Sequence, residues 1–365
     1  MSTPRYRYAI IGTGREHGTE GATGFGMAHP HFRAFHGTGR TDLIAIADTS
    51  EGNATHFLEK HEQPAARTYS NYRAMLVDQH PDIVSVCTWP HLHAEMVVSA
   101  CEAGIRAIHC EKPMATTWGD GKRMKAAAEA NDVILTFNHQ RRFLEPFQTV
   151  RQLVRDGAIG VLQRMEAACG DMFDWGTHWL DMLFFFNEET PAEWVIGQID
   201  SRTDRRTFGA FMEDQAICHI KFQNDVRGLL ITGYEAQIGG AHRLMGSTGI
   251  IEIGWDSEVR IRAAGDADWR KVDAAETIHG GEAIPRAAAD LIRALDDPTY
   301  TPLLSVDNAL RATEVIYAVY ESSRRRGRVD LPLDKDDSAL LAMLYAGEIG
   351  PKQAEPVQTV MTPMS

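Results

Sequence analysis

Short apolar runs alternate with amphipathic stretches through the first 140 residues of the chain. The apolar runs predict five strands, at 7–11, 42–47, 82–88, 105–110 and 133–137. The stretches between them predict helices near 27–37, 50–62, 70–78, 91–103 and 117–130. Because nearly continuous apolar strands joined by helices are typical of a parallel sheet covered on both faces, this half is predicted to be a doubly wound α/β domain of the Rossmann type.

The pattern changes after residue 140. A helix, a strand and an apolar helix come first, at 144–156, 161–169 and 175–186. Strand-like segments then follow without helices between them, at 192–201, 214–223, 226–236, 242–253 and 258–262. Such a run predicts an α+β half with a large, mostly antiparallel open sheet, closed by helices at 282–296 and 305–322. We therefore predict a Rossmann domain over 1–140, an α+β domain over 141–330 and a tail over 331–365 with a short helix at 338–346.

Composition narrows the classes of function. A chain of 365 residues is too long for one ordinary core, and its formal charge of −13 argues against a nucleic-acid partner. The sequence has no run of 18 apolar residues, so it predicts no membrane span. It also has no signal pattern at the N-terminus, so it does not predict secretion. The five scattered cysteines have neither metal-site nor disulfide spacing, which indicates reduced thiols and a cytoplasmic location. The basic cluster at 324–328 follows a helix, where such bases complement the helix dipole.

The first predicted strand ends in Gly12-Thr13-Gly14, which supplies the tight turn and close backbone approach that a pyrophosphate requires. The dinucleotide fingerprint would have a third glycine at position 17, but that residue is His. Further glycines follow at 18, 21, 24 and 26. We interpret 15–26 as an extended phosphate loop that is able to fold over a cofactor as a lid, with a structural turn or a surface excursion as the alternatives.

The second predicted strand ends in Asp48, about 35 residues beyond the glycines. A carboxylate at this place accepts hydrogen bonds from the adenosine ribose and repels a 2′-phosphate. The following Thr49-Ser50 supplies no adjacent Arg, so NAD is favoured over NADP. The alternative role of Asp48 is a helix N-cap, which is compatible with ribose binding.

Candidate chemistry lies in two further segments. The fourth strand runs into Glu111-Lys112-Pro113, at the edge where open α/β sheets bind ligands. Farther along, Asp174 and His178 stand four residues apart, a spacing at which the carboxylate orients the imidazole and supports its cationic form. The alternatives are a solvent-exposed lysine and a structural histidine.

Together these residues resemble the Gfo/Idh/MocA oxidoreductase family, and the matching segments occur in order over about 320 residues. The strongest are CEKPMATT and DWGTHWLD. The others are AIIGTG, HFRAF, LIAIAD, TWPHLHAEM, FNHQRRF, DGAIG, GSTGIIEI and YESSRRRGRVDLPL. The resemblance implies NAD(P)-dependent hydride transfer at a carbinol of a sugar, cyclitol or related polyol. It also implies a homo-oligomer, dimer or tetramer, assembled through the C-terminal sheet.

The resemblance also implies a role for each matching residue. Lys112 would hydrogen-bond the reacting oxygen, His178 would be the general acid/base, and Asp174 would orient it or contact a neighbouring hydroxyl. Arg142 would help to bind the substrate, whereas Asp181 has a purely structural role as its alternative. The residues bordering the cofactor would be Gly12, Thr13, Gly14, Asp48, Thr88, His93, Glu111, Lys112 and Pro113, the last often after a cis bond in relatives. Trp89 stands where many relatives carry Pro, and its indole is available to stack on the cofactor or a sugar face.

Other outcomes stay open at this point. No metal site is predicted, because the histidines of HPHFRAFH have local, helical spacing. Candidates from the second half to line the substrate pocket are Tyr234, His242 and Trp255, each with a core or surface role as its alternative. An NAD-dependent glycosidase that oxidises a sugar transiently, eliminates a substituent and reduces the ring again would use the same machinery. A non-catalytic NAD-binding sensor or scaffold is the second alternative function.

Overall fold

The computed structural model of the chain describes residues 5–234 and 236–351. Its first sheet has six strands: β1 (Tyr6–Ile11), β2 (Thr41–Ala47), β3 (Arg67–Tyr69), β4 (Ile83–Val86), β5 (Ala107–Cys110) and β6 (Ile134–Phe137). The strands are all parallel and lie in the order β3-β2-β1-β4-β5-β6. The connecting helices are α1 (Ala28–Gly37), α2 (Glu51–Lys60), α3 (Tyr72–Gln79), α4 (Pro90–Glu102) and α5 (Trp118–Ala130). This arrangement confirms the predicted doubly wound domain.

The second sheet follows a 3₁₀ helix (Gln140–Phe143) and α6 (Glu145–Arg155). Its longer strands are β7 (Leu162–Cys169), β8 (Ala192–Asp200), β11 (Gln215–Phe222) and β12 (Arg227–Thr232). A small ribbon intervenes in the chain, formed by β9 (Arg206–Thr207) and β10 (Ala210–Phe211). The remaining strands of the sheet are β13 (His242–Gly246), β14 (Ile250–Ile253), β15 (Val259–Arg262), β16 (Arg270–Val272) and β17 (Val329–Asp330).

The nine strands of this sheet lie in the order β16-β15-β14-β13-β7-β12-β11-β8-β17. Only the β7–β12 pair is parallel, so the predicted mostly antiparallel sheet is confirmed. The helices are α7 (Gly176–Phe186), α8 (Ala283–Asp296), α9 (Val306–Arg325) and α10 (Ala339–Tyr345). The last confirms the predicted helix of the tail, whereas residues 352–365 of the predicted tail lie outside the described residues.

Several strand predictions differ from the structure. The segment 242–253 is two strands, because Gly246 and Gly249 close a tight turn between β13 and β14. The edge strands β3, β16 and β17 have only two or three residues and are largely exposed, so no apolar run marks them in the sequence. Periodicity therefore predicts the long buried strands and misses the short edges.

Helices from the second half also cover the first sheet. Helix α8 packs against α1, and its buried Ala288, Leu291 and Ile292 belong to the same core as Ile10 and Phe35. Helix α9 contacts β6 of the first sheet and β8 of the second, so it touches both sheets. Residues beyond 140 thus complete the first core, and the domain boundary at residue 140 stays a prediction.

Three arginines of the basic cluster at 324–328 pair with nearby carboxylates. Arg324 and Arg325 at the end of α9 both pair with Glu321, and Arg328 pairs with Asp330. The five cysteines are unpaired, and four of them are buried. Among the described residues, no helix has the length and apolar character needed to cross a membrane.

Close packing between β8 and α9 leaves no room for a side chain at Gly197. The Gly197 N–H donates to Ser322 Oγ at 2.8 Å. A Cβ atom on Gly197 would lie 2.8 Å from Val319 Cγ1 and 3.3 Å from Val319 Cα. Because one of these atoms belongs to the backbone, the helix would have to move away from the sheet to admit a methyl group.

We therefore predict that Gly197→Ala lowers the free energy of unfolding by about 1–3 kcal/mol. Gly281 is exposed and would bring a Cβ within 4 Å of no atom, so Gly281→Ala serves as the control, with a change within about 0.5 kcal/mol. Urea denaturation followed by circular dichroism measures both variants. Equal unfolding midpoints for Gly197→Ala and wild type would contradict the packing described here.

Candidate active site

The candidate site lies at the carboxyl ends of β1, β4 and β5, where the order of the first sheet reverses between β1 and β4. Open α/β sheets bind ligands at such a switch point. A cavity of about 310 Å³ opens there and extends to the beginning of α7 from the second half. Its walls come from the glycine loop, the loop after β4, the end of β5, the segment 138–141 and the beginning of α7. Both halves of the chain therefore build one cavity.

Asp48 holds the glycine turn together. Its Oδ2 accepts hydrogen bonds from Thr13 N at 2.8 Å, Thr13 Oγ1 at 2.7 Å and Gly14 N at 3.1 Å. Its Oδ1 accepts from Ser50 N at 2.8 Å, while Ser50 Oγ, not Asp48, caps α2. The suggested N-cap role of Asp48 is therefore wrong. Its carboxylate instead binds the backbone of the glycine turn.

Gly12 and Gly14 meet different requirements in this turn. Both have left-handed backbone, with φ of 82° and 55°. A Cβ on Gly12 would lie 2.6 Å from Thr88 Cγ2, whereas a Cβ on Gly14 would meet nothing nearer than Gly26 Cα at 3.9 Å. The open space at Gly14 and the uncapped beginning of α1 at Ala28 suit a pyrophosphate, so the residues present fit a dinucleotide.

The long loop at 15–26 forms one wall of the cavity through Thr23, Gly24, Phe25 and Gly26. The Phe25 ring meets the Phe208 ring edge-on, with centroids 5.8 Å apart. The loop is therefore no detached surface excursion, while its action as a lid stays a prediction. A Cβ on Gly26 would lie 2.4 Å from Arg15 O, so this close approach requires glycine.

Arg15 of the extended loop lies close to the beginning of α2. Its Nε donates to Asn53 Oδ1 at 3.3 Å and its Nη2 to Gly52 O at 3.4 Å, at the beginning of α2. An arginine therefore reaches the neighbourhood of Asp48, although Thr49-Ser50 contain none.

Lys112 and Asp174 form an ion pair inside the cavity. The Lys112 Nζ lies 2.6 Å from Asp174 Oδ1, and the two side chains are 17% and 10% exposed. Lys112 follows β5 and is joined to Pro113 by a cis peptide bond, whereas Asp174 immediately precedes α7. Asp171 Oδ1 fixes that turn by accepting from Asp174 N at 2.5 Å and Trp175 N at 3.1 Å. The pair therefore links the two halves of the chain at the site.

Glu111 belongs to a buried network beneath Lys112. Its Oε1 accepts from His31 Nε2 at 2.8 Å and Asn138 Nδ2 at 2.6 Å, and its Oε2 accepts from Lys112 N at 3.1 Å. Burial by itself would raise the pKa of Glu111, but the hydrogen bond and charge of His31 and the charge of Lys112 lower it to about 2. The ionised carboxylate thus orients the backbone that carries Lys112.

His93 and Pro113 support the cavity from outside its wall. His93 is fully buried, with Nδ1 3.0 Å from Pro113 O and Nε2 3.1 Å from Thr88 O. It thus ties the loop after β4 to the loop after β5. Of the predicted cofactor residues, Thr13, Gly14, Thr88, Glu111 and Lys112 line the cavity, whereas Gly12, Asp48, His93 and Pro113 do not.

His178, in the first turn of α7, lines the same cavity and is 4% exposed. Burial, followed by the charges of Arg141 and Lys112, lowers the pKa of His178 well below the usual range. Its Nδ1 is buried and has no hydrogen-bond partner among the described residues. The imidazole is therefore neutral, and the expectation that Asp174 supports its cationic form is wrong.

The expected contact between Asp174 and His178 is also wrong. In the part of the chain that the structure describes, no hydrogen bond joins them, because Asp174 lies before α7 and its carboxylate is engaged by Lys112. Asp174 thus lies at the site but acts on Lys112, not on the imidazole.

Arg142 is not in the cavity, contrary to the sequence-based prediction. It is fully buried, with Nη2 2.7 Å from Asp181 Oδ1 and Nη1 2.5 Å from Glu189 Oε1. Asp181 thus has the structural role named as its alternative. The neighbouring Arg141 lines the cavity instead, because the 3₁₀ helix points successive side chains in different directions.

Sequence reasoning missed several residues that line the cavity, among them Asn138, Gln140, Trp175, Phe208 and His279. The first two lie in the quoted motif FNHQRRF, which was the available signal. Trp89 lines the cavity as anticipated. Tyr234 and Trp255 line a separate cavity at the second sheet, and His242 is buried in the core. These three residues therefore do not line the candidate site.

Two family models match the chain. Residues 6–139 match the model described as oxidoreductase family, NAD-binding Rossmann fold, and residues 163–331 match its C-terminal alpha/beta domain. A solved structure of levoglucosan dehydrogenase with NADH and L-sorbose has a TM-score of 0.77 and 19% identity, covering 91% of this chain and all of that one. The WlbA dehydrogenase of Bordetella pertussis with NADH and UDP-GlcNAcA has a TM-score of 0.73 and 20% identity, covering 92% and 100%. These likenesses show the fold.

Curated relatives are similar over shorter stretches. The chain is 26% identical over 227 residues to the myo-inositol 2-dehydrogenase of Thermotoga maritima, which covers 57% of this chain and 66% of that protein. It is 38% identical over 158 residues to the D-apiose dehydrogenase of Paraburkholderia graminis, covering 43% and 38%. The chain thus spans less than two thirds of the length of the curated relatives that it matches. The two family models together establish that the chain belongs to the Gfo/Idh/MocA oxidoreductase family, whose N-terminal domain is an NAD-binding Rossmann fold.

Proposed function

We propose that the protein is an NAD-dependent oxidoreductase acting on a carbinol of a sugar, cyclitol or sugar derivative. The observation that carries the proposal is the convergence of Lys112 and a neutral His178 on the cavity beside the glycine turn. The names of the relatives support the substrate class, since they include dehydrogenases of inositol, glucosides and apiose. NAD is the cofactor in this proposal because the family model that matches residues 6–139 is that of an NAD-binding Rossmann fold.

The chain's own groups divide the chemistry between them. His178 takes the hydroxyl proton of the substrate on Nε2, because Nδ1 is buried. The Lys112 ammonium donates to the same oxygen and stabilises the negative charge that develops there. Asp174 holds that ammonium in place, and Glu111 holds the backbone behind it. When bound, the nicotinamide supplies the acceptor of the hydride from the carbinol carbon.

We expect Lys112→Met and His178→Ala each to reduce turnover by at least about 100-fold, because each removes a group that acts on the reacting oxygen. Turnover is followed as NADH absorbance with NAD and a panel of aldoses, inositols and sugar acids. NAD binding, measured by calorimetry, should change little in both variants, since the glycine turn is untouched.

Matched controls for these variants lie outside the cavity. Lys122→Met removes a surface lysine that pairs with Asp336, and His36→Ala removes an exposed histidine near the end of α1. Both should keep wild-type turnover. Wild-type turnover in Lys112→Met and His178→Ala would exclude these residues from the mechanism, whereas loss of folding, checked by circular dichroism, would disqualify a variant.

The lowered pKa of His178 leads to a prediction about the pH dependence of kcat/KM. The oxidation direction requires the neutral imidazole, and a pKa below the ordinary 6.5 keeps it neutral as the pH falls. We therefore expect kcat/KM for oxidation to be constant between about pH 6.5 and 8 and to fall only in more acid solution. A pH profile of NADH formation measures it. If kcat/KM fell on the acid side with a midpoint above pH 6.5, and this fall came from protonation of His178, the description of a buried imidazole near two cations would be contradicted.

We further propose that copies of the chain associate through the outer face of the second sheet. Ile196 and Ile217 lie on adjacent strands of this face and are 45% and 49% exposed. Neighbouring Trp194 and His219 add an edge-on ring pair with centroids 5.5 Å apart. An apolar patch on an otherwise charged protein suits association.

A cytoplasmic location, supported by the unpaired cysteines, also belongs to this proposal.

Sedimentation velocity should show a species larger than the 40.6 kDa monomer for wild type. The double variant Ile196→Glu/Ile217→Glu should shift it to the monomer, because facing carboxylates repel across the interface. Val77→Glu, at a 65% exposed valine of α3 beside the first sheet, is the control and should leave the larger species intact. A wild-type monomer, or an unshifted double variant, would contradict association through this face.

A further inference from the structure

The cavity contains a buried guanidinium without a carboxylate partner. Arg141 is 7% exposed, and among the residues that the structure describes no Asp or Glu oxygen lies within 4 Å of it. Its Nη1 donates to Ile278 O at 3.1 Å, and its Nε is buried without a partner. The next residue, Arg142, pairs with two carboxylates. Two neighbouring arginines of one helical turn therefore differ in that only Arg142 has an acidic partner.

Burial of an unpaired guanidinium costs desolvation free energy, and the protein's own contacts offset only part of that cost. The Arg141 guanidinium lies 4.3 Å from the centroid of the Trp179 ring and 5.5 Å from that of the Trp175 ring. Such cation–π contacts compensate weakly compared with an ion pair. The two carboxylates that line the cavity are already engaged, Asp174 by Lys112 and Glu111 by His31. The cavity therefore holds an uncompensated positive charge.

The pyrophosphate of a dinucleotide is poorly placed to supply the missing anion. It belongs at the glycine turn of the first sheet, whereas Arg141 contacts Ile278, Trp175 and Trp179 of the second half. The groups beside Arg141 are those of a substrate site. Gln140 lines the same cavity, and its side-chain carbonyl oxygen is buried without a partner. This oxygen suits a hydroxyl donor.

We propose that the substrate is an acidic polyol, a sugar carrying a carboxylate such as an aldonic or uronic acid, and that Arg141 binds this carboxylate. The planar guanidinium fork matches a carboxylate bidentately. Gln140 accepts from a hydroxyl, and Lys112 and His178 meet the reacting carbinol. The inference rests on the proposed function and makes its substrate class specific.

The experiment compares acids with their neutral counterparts. NADH formation is measured with gluconate against sorbitol and with glucuronate against glucose. The variants are Arg141→Gln, which removes the charge, and Arg141→Lys, which keeps the charge and loses the fork. Work at pH 8 keeps His178 neutral in every variant. Arg151→Gln is the matched control, because Arg151 also lies over an aromatic ring, that of Phe185, but lines no part of this cavity.

Wild type should have a higher kcat/KM for the acid in each pair. Arg141→Gln should lose about ten- to hundredfold on the acid and little on the neutral polyol, with the loss mainly in KM. Arg141→Lys should recover part of it, and Arg151→Gln should match wild type. Preference for the neutral polyol, or equal loss on acid and neutral substrates, would overturn the inference while leaving the dehydrogenase activity intact.

A binding measurement separates this inference from the proposed function. Saturation-transfer NMR detects gluconate on the NAD-bound protein whether or not turnover occurs. If no compound yields NADH, the proposed function fails. Gluconate binding that is lost in Arg141→Gln and kept in Arg151→Gln would still support Arg141 as the carboxylate site. Binding that is absent, or equal in both variants, would overturn it.

Discussion

The ion pair between Lys112 and Asp174 is the interaction on which the site depends. Lys112 follows β5 of the first sheet, and Asp174 precedes α7 on the second, so a single contact of 2.6 Å joins two separately built halves. Removal of charges from water makes such a pair a weak source of stability. Its effect is geometric, because it places the ammonium where the first turn of α7 brings His178.

Charge balance around this pair explains the state of the other groups. Lys112 and Arg141 lie near His178, and together with burial they keep its imidazole neutral. Glu111 is ionised although buried, since His31, Asn138 and the Lys112 backbone all donate to it. The cavity thus contains a neutral base beside positive charge, which suits proton removal from an alcohol and binding of an anion.

Much of the fold and part of the site follow from local patterns along the chain. Apolar periodicity predicts the long strands of both sheets, because a buried strand requires apolar side chains whatever its neighbours. The Glu111-Lys112-Pro113 and Asp174/His178 segments stand out through residue type and position after such elements. Short edge strands such as β3 escape this reasoning, since their exposed side chains carry no periodic signal.

Residue type and periodicity suffice to predict a doubly wound domain, an open second sheet and the segments that carry the chemistry. Only the folded chain shows which side chains within those segments meet. Asp174 pairs with Lys112, 62 residues away, not with the adjacent His178. Arg141, not Arg142, lines the cavity, and Arg15 reaches α2 across an extended loop. Local sequence determines backbone periodicity, whereas the direction of a polar side chain depends on partners that packing brings from distant parts of the chain.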